Sequence, residues 1–410
     1  MQAVSQTGLI KEITGGSIIT PKGYKTDGVH AGLRYSKKDL GIIISDVPAN
    51  CGAVYTTSQF QAAPLIVTQE SIAFEETIQA VVVNSACANA CTGERGIRDA
   101  FQMRKWTAKK FDLPEHYVAV ASTGVIGEYL AMDKVDTGIQ NFQPGIEPAH
   151  SDAFQTAILT TDLVMKNCCY SAKIDGKTVV MGGAAKGSGM IHPNMATMLG
   201  FITTDANIES KHLLAALREV TDTTFNQITV DGDTSTNDMV LVMANGLSGN
   251  TSLTPDHPDW DVFLQLLAKN CESLAKQIAK DGEGATKLIE VEVIGAETVV
   301  DARKVAKQIV GSNLVKTAIY GEDANWGRII GAIGQSSVNI NPSSVDIAIG
   351  PIVMLKNSVP QAFSEEQASE YLKNKIIHIF VDLNNGKGNG KAWGCDLSYD
   401  YVKINASYRT

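Results

Sequence analysis

One short segment combines a hydroxyl group, a constrained backbone and a buried strand in an order that could do chemistry. It runs from Lys186 to Leu199 with the sequence KGSGMIHPNMATML. Two glycines and a proline interrupt it within a few residues, which indicates a constrained loop. The loop leads directly into an apolar stretch, Thr197–Thr204, which predicts a buried strand. Thr197 therefore lies at the first position of a strand, directly after the small residue Ala196.

This arrangement suits a hydroxyl group that attacks its own backbone. If the turn is strained, the Thr197 Oγ1 can reach the Ala196 carbonyl and move the acyl group from nitrogen to oxygen, and water then releases two chains. The second chain begins with a threonine whose free α-amine, with a pKa near ~7.7–8.0, can act as a general base. On spacing alone, an ordinary loop-to-strand junction explains the same residues, and this alternative stays open.

The elements that must position this segment are predicted from their apolar patterns. Short apolar runs predict strands at Leu40–Ser45, Gly52–Thr57, Ile78–Asn84, Tyr117–Ser122, Val179–Gly183, Leu199–Thr204 and Ile289–Ile294. Helical periodicity predicts helices at Arg95–Phe111, His212–Thr221, Trp260–Lys280 and Asp301–Val310. Near the C-terminus, Ile376–Leu383 and Lys391–Ile404 are predicted to form a hairpin around Asn384–Gly390. Mixed helices and strands predict an α/β or α+β fold with sheets buried between helix layers.

Composition narrows the class of protein. With 410 residues and 44% hydrophobic content, the chain can bury two or three lobes. The net charge of −9 and the lack of a dense basic run argue against a nucleic-acid partner. No stretch of the sequence has the ~18 apolar residues that a membrane helix needs. The start of the chain does not have the pattern of a signal peptide, and seven cysteines, an odd number, fit a reducing cytoplasm better than a disulfide scaffold.

Four other features carry weaker signals. The cysteines have no second Cys/His pair at zinc spacing, so no metal or bound cofactor is expected. Asp231–Asn237 (DGDTSTN) begins like a calcium loop, but Thr236 occupies the glycine position and no glutamate follows, so we expect structural turns or support of the site. Gly386–Lys391 lacks the spacing of a phosphate loop. His192 is expected to position the cleavage loop.

Segments along the whole chain carry a family resemblance. They are GGSIITPKGYKTDGVHAGLR (15–34), VVVNSACANACTG (81–93), VASTGVIG (120–127), TTD (160–162), TFNQITVDGDTSTND (224–238), DGEGATK (281–287), GEDANWGRI (321–329) and NASYRT (405–410). With KGSGMIHPNMATML, these segments resemble the glutamate/ornithine N-acetyltransferases in order and spacing. The resemblance implies an α/β sandwich of the ornithine acetyltransferase and self-cleaving aminopeptidase type, with a smaller second lobe.

The resemblance also implies catalytic roles. Thr197 matches the nucleophile that is released by cleavage after Ala196, which divides the chain into residues 1–196 and 197–410. Thr123 and Gly124 match the oxyanion hole, and a strand end followed by glycine can present a hydroxyl and a backbone N–H to developing negative charge. Without Thr197, these two residues would be interpreted as an ordinary turn at the end of a strand.

Residues that contact the substrate are implied in the same way: Thr160, Lys186, Thr197, Glu283, Asn405 and Thr410. Judged alone, a lysine before a glycine-rich loop and a glutamate in a glycine turn are usually exposed. Glu283 could receive the cationic end of ornithine or orient the Thr197 amine, and the sequence leaves this choice open. The two C-terminal residues can act only if the tail, which would otherwise fray, is docked into the site.

The function implied is transfer of an acetyl group from N2-acetyl-L-ornithine to L-glutamate in arginine biosynthesis, through an acetyl-Thr197 intermediate. Some members of the family also accept acetyl-CoA, and no run of residues provides a CoA-binding signature that would decide this. The family usually assembles as two α and two β chains. One rival hypothesis is a self-cleaving aminopeptidase that passes the acyl group to water. Another is a non-catalytic binding protein with an intact Ala196–Thr197 bond.

Overall fold

The architecture comes from a computed structural model, which describes residues 9–192 and 198–407. The strands in chain order are β1 (Lys11–Glu12), β2 (Tyr24–Val29), β3 (Leu40–Tyr55), β4 (Thr77–Asn84), β5 (Val118–Ser122), β6 (Lys166–Ile174), β7 (Lys177–Lys186), β8 (Leu199–Thr204), β9 (Ile228–Thr229), β10 (Met239–Ala244), β11 (Leu288–Ala296), β12 (Asp346–Ile349), β13 (Ile352–Lys356), β14 (Val359–Pro360), β15 (Ile376–Asp382) and β16 (Gly388–Cys395). The helices are α1 (Ala63–Glu75), α2 (Gly93–Phe111), α3 (Met132–Asn141), α4 (Pro148–Ile158), α5 (Ser210–Thr223), α6 (Trp260–Lys280), α7 (Val299–Gly311), α8 (Asn313–Tyr320), α9 (Trp326–Gly334), α10 (Glu365–Leu372) and α11 (Tyr399–Ser407).

These strands form two mixed sheets. The larger sheet has the order β1-β6-β7-β8-β10-β3-β4-β5, with β2 paired to β3. Within it, β4 and β5 are parallel, and so are β8 and β10. The smaller sheet has the order β14-β13-β12-β15-β11-β16-β9. Because parallel neighbours end at the same edge of a sheet, the residues that follow β4 and β5 are brought together.

Helix α6 lies between the two sheets and explains the layered arrangement. Its buried side chains recur at helical spacing along one stripe, which includes Phe263, Leu266, Asn270 and Leu274. The helix packs on β6 and β7 of the larger sheet and also on β16 of the smaller one. The apolar cluster around it accordingly contains residues of both sheets, such as Trp393. The predicted α/β sandwich is therefore confirmed.

The smaller sheet has a core of its own, which forms the second lobe. Helices α7, α8, α9 and α10 contribute to the apolar cluster that covers β11, β12, β13, β15 and β16. In β11, Ile289, Val291 and Val293 are buried, while the intervening Glu290 and Glu292 are only half-buried. This alternation is what the sequence IEVEVI predicts for a strand with two different faces.

Most predicted elements are confirmed within a few residues, and Trp260–Lys280 matches at both ends. Leu40–Ser45 and Gly52–Thr57 belong to one continuous strand, β3, rather than to two. A register shift against β4 between Ile44 and Ala49 accommodates Pro48, which has no N–H to donate to the ladder.

The predicted C-terminal hairpin is wrong. Strands β15 and β16 do not pair with each other, because β11 lies between them and pairs with both. The predicted strand Lys391–Ile404 ends at Cys395, where the Asp396 carboxylate accepts hydrogen bonds from the N–H groups of Thr286 and Lys287. From Tyr399 onward the segment is instead the helix α11.

Candidate active site

The ends of the parallel strands β4 and β5 position the predicted oxyanion-hole pair. Strand β4 ends at Asn84 and β5 at Ser122, and these two residues face each other in the ladder. The N–H of Thr123 donates to the Asn84 carbonyl at 2.9 Å, so this N–H is already used. The hydroxyl is therefore the group that Thr123 can offer to a substrate.

Gly124 has a backbone that only glycine adopts easily. Its φ is +123°, and a Cβ at this position would lie 2.4 Å from the carbonyl oxygen of Ala86. Among the residues that the structure describes, its N–H has no hydrogen-bond acceptor. This N–H is the donor that the turn leaves available for developing negative charge.

Two asparagine side chains fix this turn from behind. The Asn84 amide donates to the Ser122 hydroxyl at 2.5 Å and to the Cys87 carbonyl at 3.1 Å. The Asn237 amide donates to the carbonyls of Ala88 and Ser122 at 2.6 and 2.8 Å. All of these contacts are buried, so they hold the loops after β4 and β5 in one arrangement.

Lys186, at the end of β7, lies beside this pair. Its Nζ is 3.3 Å from the Thr123 Oγ1 and its residue is only 8% exposed, so it is not the solvated surface lysine that its type alone would suggest. Because the ammonium donates to this oxygen, the Thr123 hydroxyl hydrogen is free to donate into the site. Burial lowers the pKa of Lys186, while the charges of Asp162, Asp238 and Glu283 oppose this effect.

A buried ion cluster holds the Thr160 loop. Lys166 donates to Asp162 at 2.6 Å and to Asp281 at 2.5 Å, and all three side chains are buried. Asp162 also accepts the N–H groups of Gly187 at 2.7 Å and of Thr160 at 3.0 Å. Burial would raise the pKa of Asp162, but the charges of Lys186 and Lys166 and the hydrogen bonds from Lys166 and Gly187 lower it to about 2. This cluster therefore fixes the loops that contain Thr160, Gly187 and Asp281.

Glu283 and Asn405 form the opposite wall. The Asn405 amide donates to the Glu283 Oε2 at 2.8 Å, which docks α11 on the site, as a C-terminal contribution requires. The Glu283 N–H donates to the Ser188 carbonyl at 2.9 Å. Its carboxylate covers Gly189, where a Cβ would lie 2.4 Å from the Glu283 Cδ. Glu283 is 8% exposed, so the exposed glutamate expected from residue type alone is wrong.

These groups line one cleft of about 970 Å³, including its open mouth, which is large enough for an amino-acid substrate. The six predicted site residues that the structure describes all contribute to its wall: Thr123, Gly124, Thr160, Lys186, Glu283 and Asn405. Ile191 and Met198, on either side of the predicted cleavage site, also line it. Ala196, Thr197 and Thr410 lie outside the described residues.

Comparison with known proteins gives the family. Residues 25–410 match the ArgJ family. This chain belongs to the ArgJ family. It is 68% identical to the arginine biosynthesis bifunctional protein ArgJ of Geobacillus kaustophilus and 61% identical to that of Bacillus subtilis, and each match covers all of both chains. A crystal structure of the arginine biosynthesis bifunctional protein argJ from Bacillus halodurans is 66% identical with a TM-score of 0.51, and it covers 52% of this chain and 100% of that one.

Several supporting residues of this ArgJ-family site were not identified one by one from the sequence, although Asp231–Asn237 was expected to form structural turns or to support the site. Asp162 and Asn237 lie in segments that carried the resemblance, but hydrogen bonds to distant carbonyls and N–H groups leave no local pattern. Asp238 is 3% exposed and lines the cleft, and its Oδ2 has no hydrogen-bond partner within residues 9–192 and 198–407. Burial raises the pKa of Asp238 well above its usual value, and Ser235 and Lys186 offset this only in part. The signal was an aspartate at the start of an apolar strand.

Within the described ranges, no group of three or more histidine, cysteine, aspartate or glutamate side chains could hold a metal ion. In the same part of the chain, no helix is both long and apolar enough to cross a membrane.

Proposed function

We propose that this chain transfers the acetyl group of N2-acetyl-L-ornithine to L-glutamate, and that Thr197 carries the acetyl group between two half-reactions. One observation carries the proposal. Six residues from distant parts of the chain line one cleft, and the family resemblance assigns each of them to the site. Ile191 and Met198, which lie before and after Thr197 in the sequence, line the same cleft. Membership of a family whose relatives are named for arginine biosynthesis favours acetyl transfer over the aminopeptidase alternative.

In the first half-reaction, the Thr197 Oγ1 adds to the acetyl carbonyl carbon while its own α-amine takes the hydroxyl proton. The carbonyl oxygen becomes negative and accepts hydrogen bonds from the Gly124 N–H and the Thr123 hydroxyl, a type of interaction that is typically worth about 3–4 kcal/mol per donor. The C–N bond then breaks, the proton passes to the leaving nitrogen, and ornithine departs. The acetyl group remains as an ester on Thr197.

The second half-reaction is the reverse with another amine. The α-amino group of L-glutamate attacks the ester carbonyl, the same two donors stabilise the oxyanion, and N-acetyl-L-glutamate leaves. Both amino acids present the same α-amino-acid head, so one cleft serves both steps. Lys186 supplies positive charge for a carboxylate or carbonyl, and Glu283 supplies negative charge for a protonated amine.

The active form is proposed to arise by cleavage between Ala196 and Thr197. The Bacillus halodurans chain in the crystal is matched over its full length, yet it spans only about half of this chain, whereas the relatives from curated sequences match end to end. A fragment that begins at Thr197 would likewise be slightly more than half of this chain. This agreement supports processing into residues 1–196 and 197–410, which we expect to assemble as two α and two β chains.

Acetyl-CoA is proposed as a second acetyl donor to Thr197, since the relatives carry the word bifunctional in their names. A simple assay tests this part. Purified protein with acetyl-CoA and glutamate should release free CoA thiol, and Thr197→Ala should not. If no thiol is released at any glutamate concentration, acetyl-CoA is not an acetyl donor and this part of the proposal fails.

Transfer is separated from hydrolysis by the acceptor requirement. With acetylornithine alone, ornithine release should stop after about one equivalent per Thr197, and glutamate should restore continuous turnover. Continuous ornithine release without glutamate, with acetate as the second product, would favour the aminopeptidase alternative. Thr197→Ala serves as the inactive control.

A further inference from the structure

The segment 229–239 (TVDGDTSTNDM), here called the clamp segment, contacts both sides of the predicted cleavage site. On the upstream side, the Asp231 carboxylate accepts the N–H of Met190 at 2.6 Å and the N–H of Ile191 at 2.9 Å. The Val230 N–H donates to the Ile191 carbonyl at 2.7 Å. On the downstream side, the Met239 N–H donates to the Met198 carbonyl at 2.9 Å. One short segment therefore fixes Met190 and Ile191 before the predicted cleavage site and Met198 after it.

The Asp231 contacts hold a backbone conformation that is unfavourable by itself. Met190 is a non-glycine residue with φ of +57°, in the left-handed region. Such a conformation is unfavourable for a residue with a Cβ and persists only where its surroundings enforce it. Here the consecutive N–H groups of Met190 and Ile191 both donate to the Asp231 carboxylate, and such a pair of N–H groups favours a negatively charged acceptor. Removal of the negative charge would therefore release the constraint on the upstream side.

Further contacts make the clamp segment a firm support. The His192 Nδ1 lies 3.0 Å from the Thr229 Oγ1, and the Thr234 hydroxyl donates to the His192 carbonyl at 3.2 Å. Behind the segment, the buried Lys316 ammonium donates to the Val230 carbonyl at 2.6 Å. The clamp segment therefore bonds to α8 on one side and to His192, just before the predicted cleavage site, on the other.

We propose that the clamp segment positions the chain for self-cleavage. Asp231, as a positioning residue, holds Met190 and Ile191, Thr234 holds the His192 carbonyl, and these contacts together set the approach of the Thr197 hydroxyl to the Ala196 carbonyl. The proposal rests on the cleavage described under the proposed function. In that step the Oγ1–C bond forms, the C–N bond breaks and the hydroxyl proton passes to the new amine. Water then hydrolyses the ester. Asp231 acts on the first of these two stages, because it controls where the backbone lies before any bond is broken.

The test measures processing of freshly made full-length chain, with bands followed on a denaturing gel. Asp231→Asn keeps the size of the side chain but replaces one acceptor oxygen with a donor, so one of the two N–H groups loses its partner. We expect processing to slow by at least about ten-fold. The unprocessed Asp231→Asn chain should unfold thermally at the same midpoint as Thr197→Ala, which is also unprocessed. Asp233→Asn is the matched control, since the Asp233 side chain is exposed and, within residues 9–192 and 198–407, makes no hydrogen bond to the residues on either side of the cleavage site. It should process at the wild-type rate.

Hydroxylamine identifies the stage that is affected, since it cleaves esters but not amides. If Asp231 controls the acyl shift, hydroxylamine will not restore the rate of Asp231→Asn. Restoration to the wild-type rate would overturn the proposal, because the ester would then form normally. Wild-type processing of Asp231→Asn without hydroxylamine would overturn it as well.

A second variant covers the case in which Asp231→Asn does not fold. Thr234→Val, at an exposed position, removes only the hydrogen bond to the His192 carbonyl. It should slow processing several-fold, and wild-type processing of Thr234→Val beside a misfolded Asp231→Asn would overturn the proposal. If the wild-type chain itself is not cleaved after Ala196, the proposed function fails instead, and the two failures are distinguished by that one lane of the gel.

Discussion

At the scale of single residues, the site divides between groups that face the cleft and groups that hold them. The Thr123 N–H is used by the Asn84 carbonyl, so only its hydroxyl is offered, and the nearby Lys186 ammonium keeps that hydroxyl oriented as a donor. Gly124 offers its N–H because, among the described residues, this group has no hydrogen-bond acceptor, in a backbone conformation with a φ of +123°. Hydroxyl and N–H therefore play different parts and can be tested separately.

Thr123→Ala removes the hydroxyl and should lower kcat by about 10²–10³ with little change in KM, because an oxyanion donor acts chiefly in the transition state. Thr123→Ser, which keeps the hydroxyl, should retain most of the activity. Steady-state kinetics with acetylornithine and glutamate provide the measurement. A large rise in KM at unchanged kcat would place Thr123 in substrate binding.

Gly124→Ala should be more damaging than the loss of one hydroxyl. The new Cβ would meet the Ala86 carbonyl at 2.4 Å in a backbone conformation that alanine disfavours, so the turn must move and the N–H loses its direction. We expect loss of both processing and acetyl transfer. Gly331→Ala, in helix α9 with no atom within 4 Å of the added Cβ, is the control and should behave as wild type. An active Gly124→Ala protein would contradict this assignment of the oxyanion donor.

At the scale of elements, the sequence predicted which strands and helices exist better than it predicted how the strands pair. Buried apolar strands such as β4 and the amphipathic helix α6 were predicted because their patterns are set by burial of their own side chains. The insertion of β11 between β15 and β16 was not, because strand pairing is decided by distant partners. The helix α11 was mistaken for strand, and only its docking through Asn405 onto Glu283 explains its place.

The ion cluster of Lys166 links these elements and should leave a signature in the pH dependence of stability. The pKa of Asp162 is lowered from its usual 3.8 to about 2 in the folded protein. Its contribution is therefore fully present above about pH 4 and is lost as the pH falls toward 2, an effect of about 2 kcal/mol. The difference in unfolding free energy between wild type and Asp162→Asn, measured by urea titration, should shrink over this range.

The control for that experiment is Asp46→Asn, at the exposed pair with Lys25, which should change stability by less than about 1 kcal/mol. A difference between wild type and Asp162→Asn that stays constant from pH 6 to the acid limit would contradict the buried pairing.

At the scale of the whole molecule, the site exists only because distant parts of the chain converge. Thr123 follows β5, Thr160 follows α4, Lys186 ends β7, and Asn405 belongs to the last helix, yet all line one cleft. Neither periodicity nor local spacing predicts such convergence. The family resemblance identified these residues in advance, and Asp231–Asn237 was expected to form turns or to support the site, whereas the particular contacts of Asp162, Asn237 and Asp231 became visible only in the structure.

The global consequence of the proposed mechanism is a protein of two chains. Intact mass and N-terminal sequencing of purified wild type should show a second chain that begins with Thr197. Thr197→Ala should remain full length and inactive, because no hydroxyl is available for the acyl shift. Cleavage of Thr197→Ala at the same bond would show that another group performs the cleavage.

The most direct test of the central claim, that Thr197 carries the acetyl group, is the mass of the 197–410 chain after incubation with acetylornithine alone. The account predicts the addition of one acetyl group, located on the N-terminal threonine by peptide mapping, with release of one equivalent of ornithine and loss of the label when glutamate is added. Parallel initial-rate plots against acetylornithine at several glutamate concentrations should accompany it. An unmodified chain together with intersecting plots would contradict the relay and would mean that donor and acceptor react in a ternary complex.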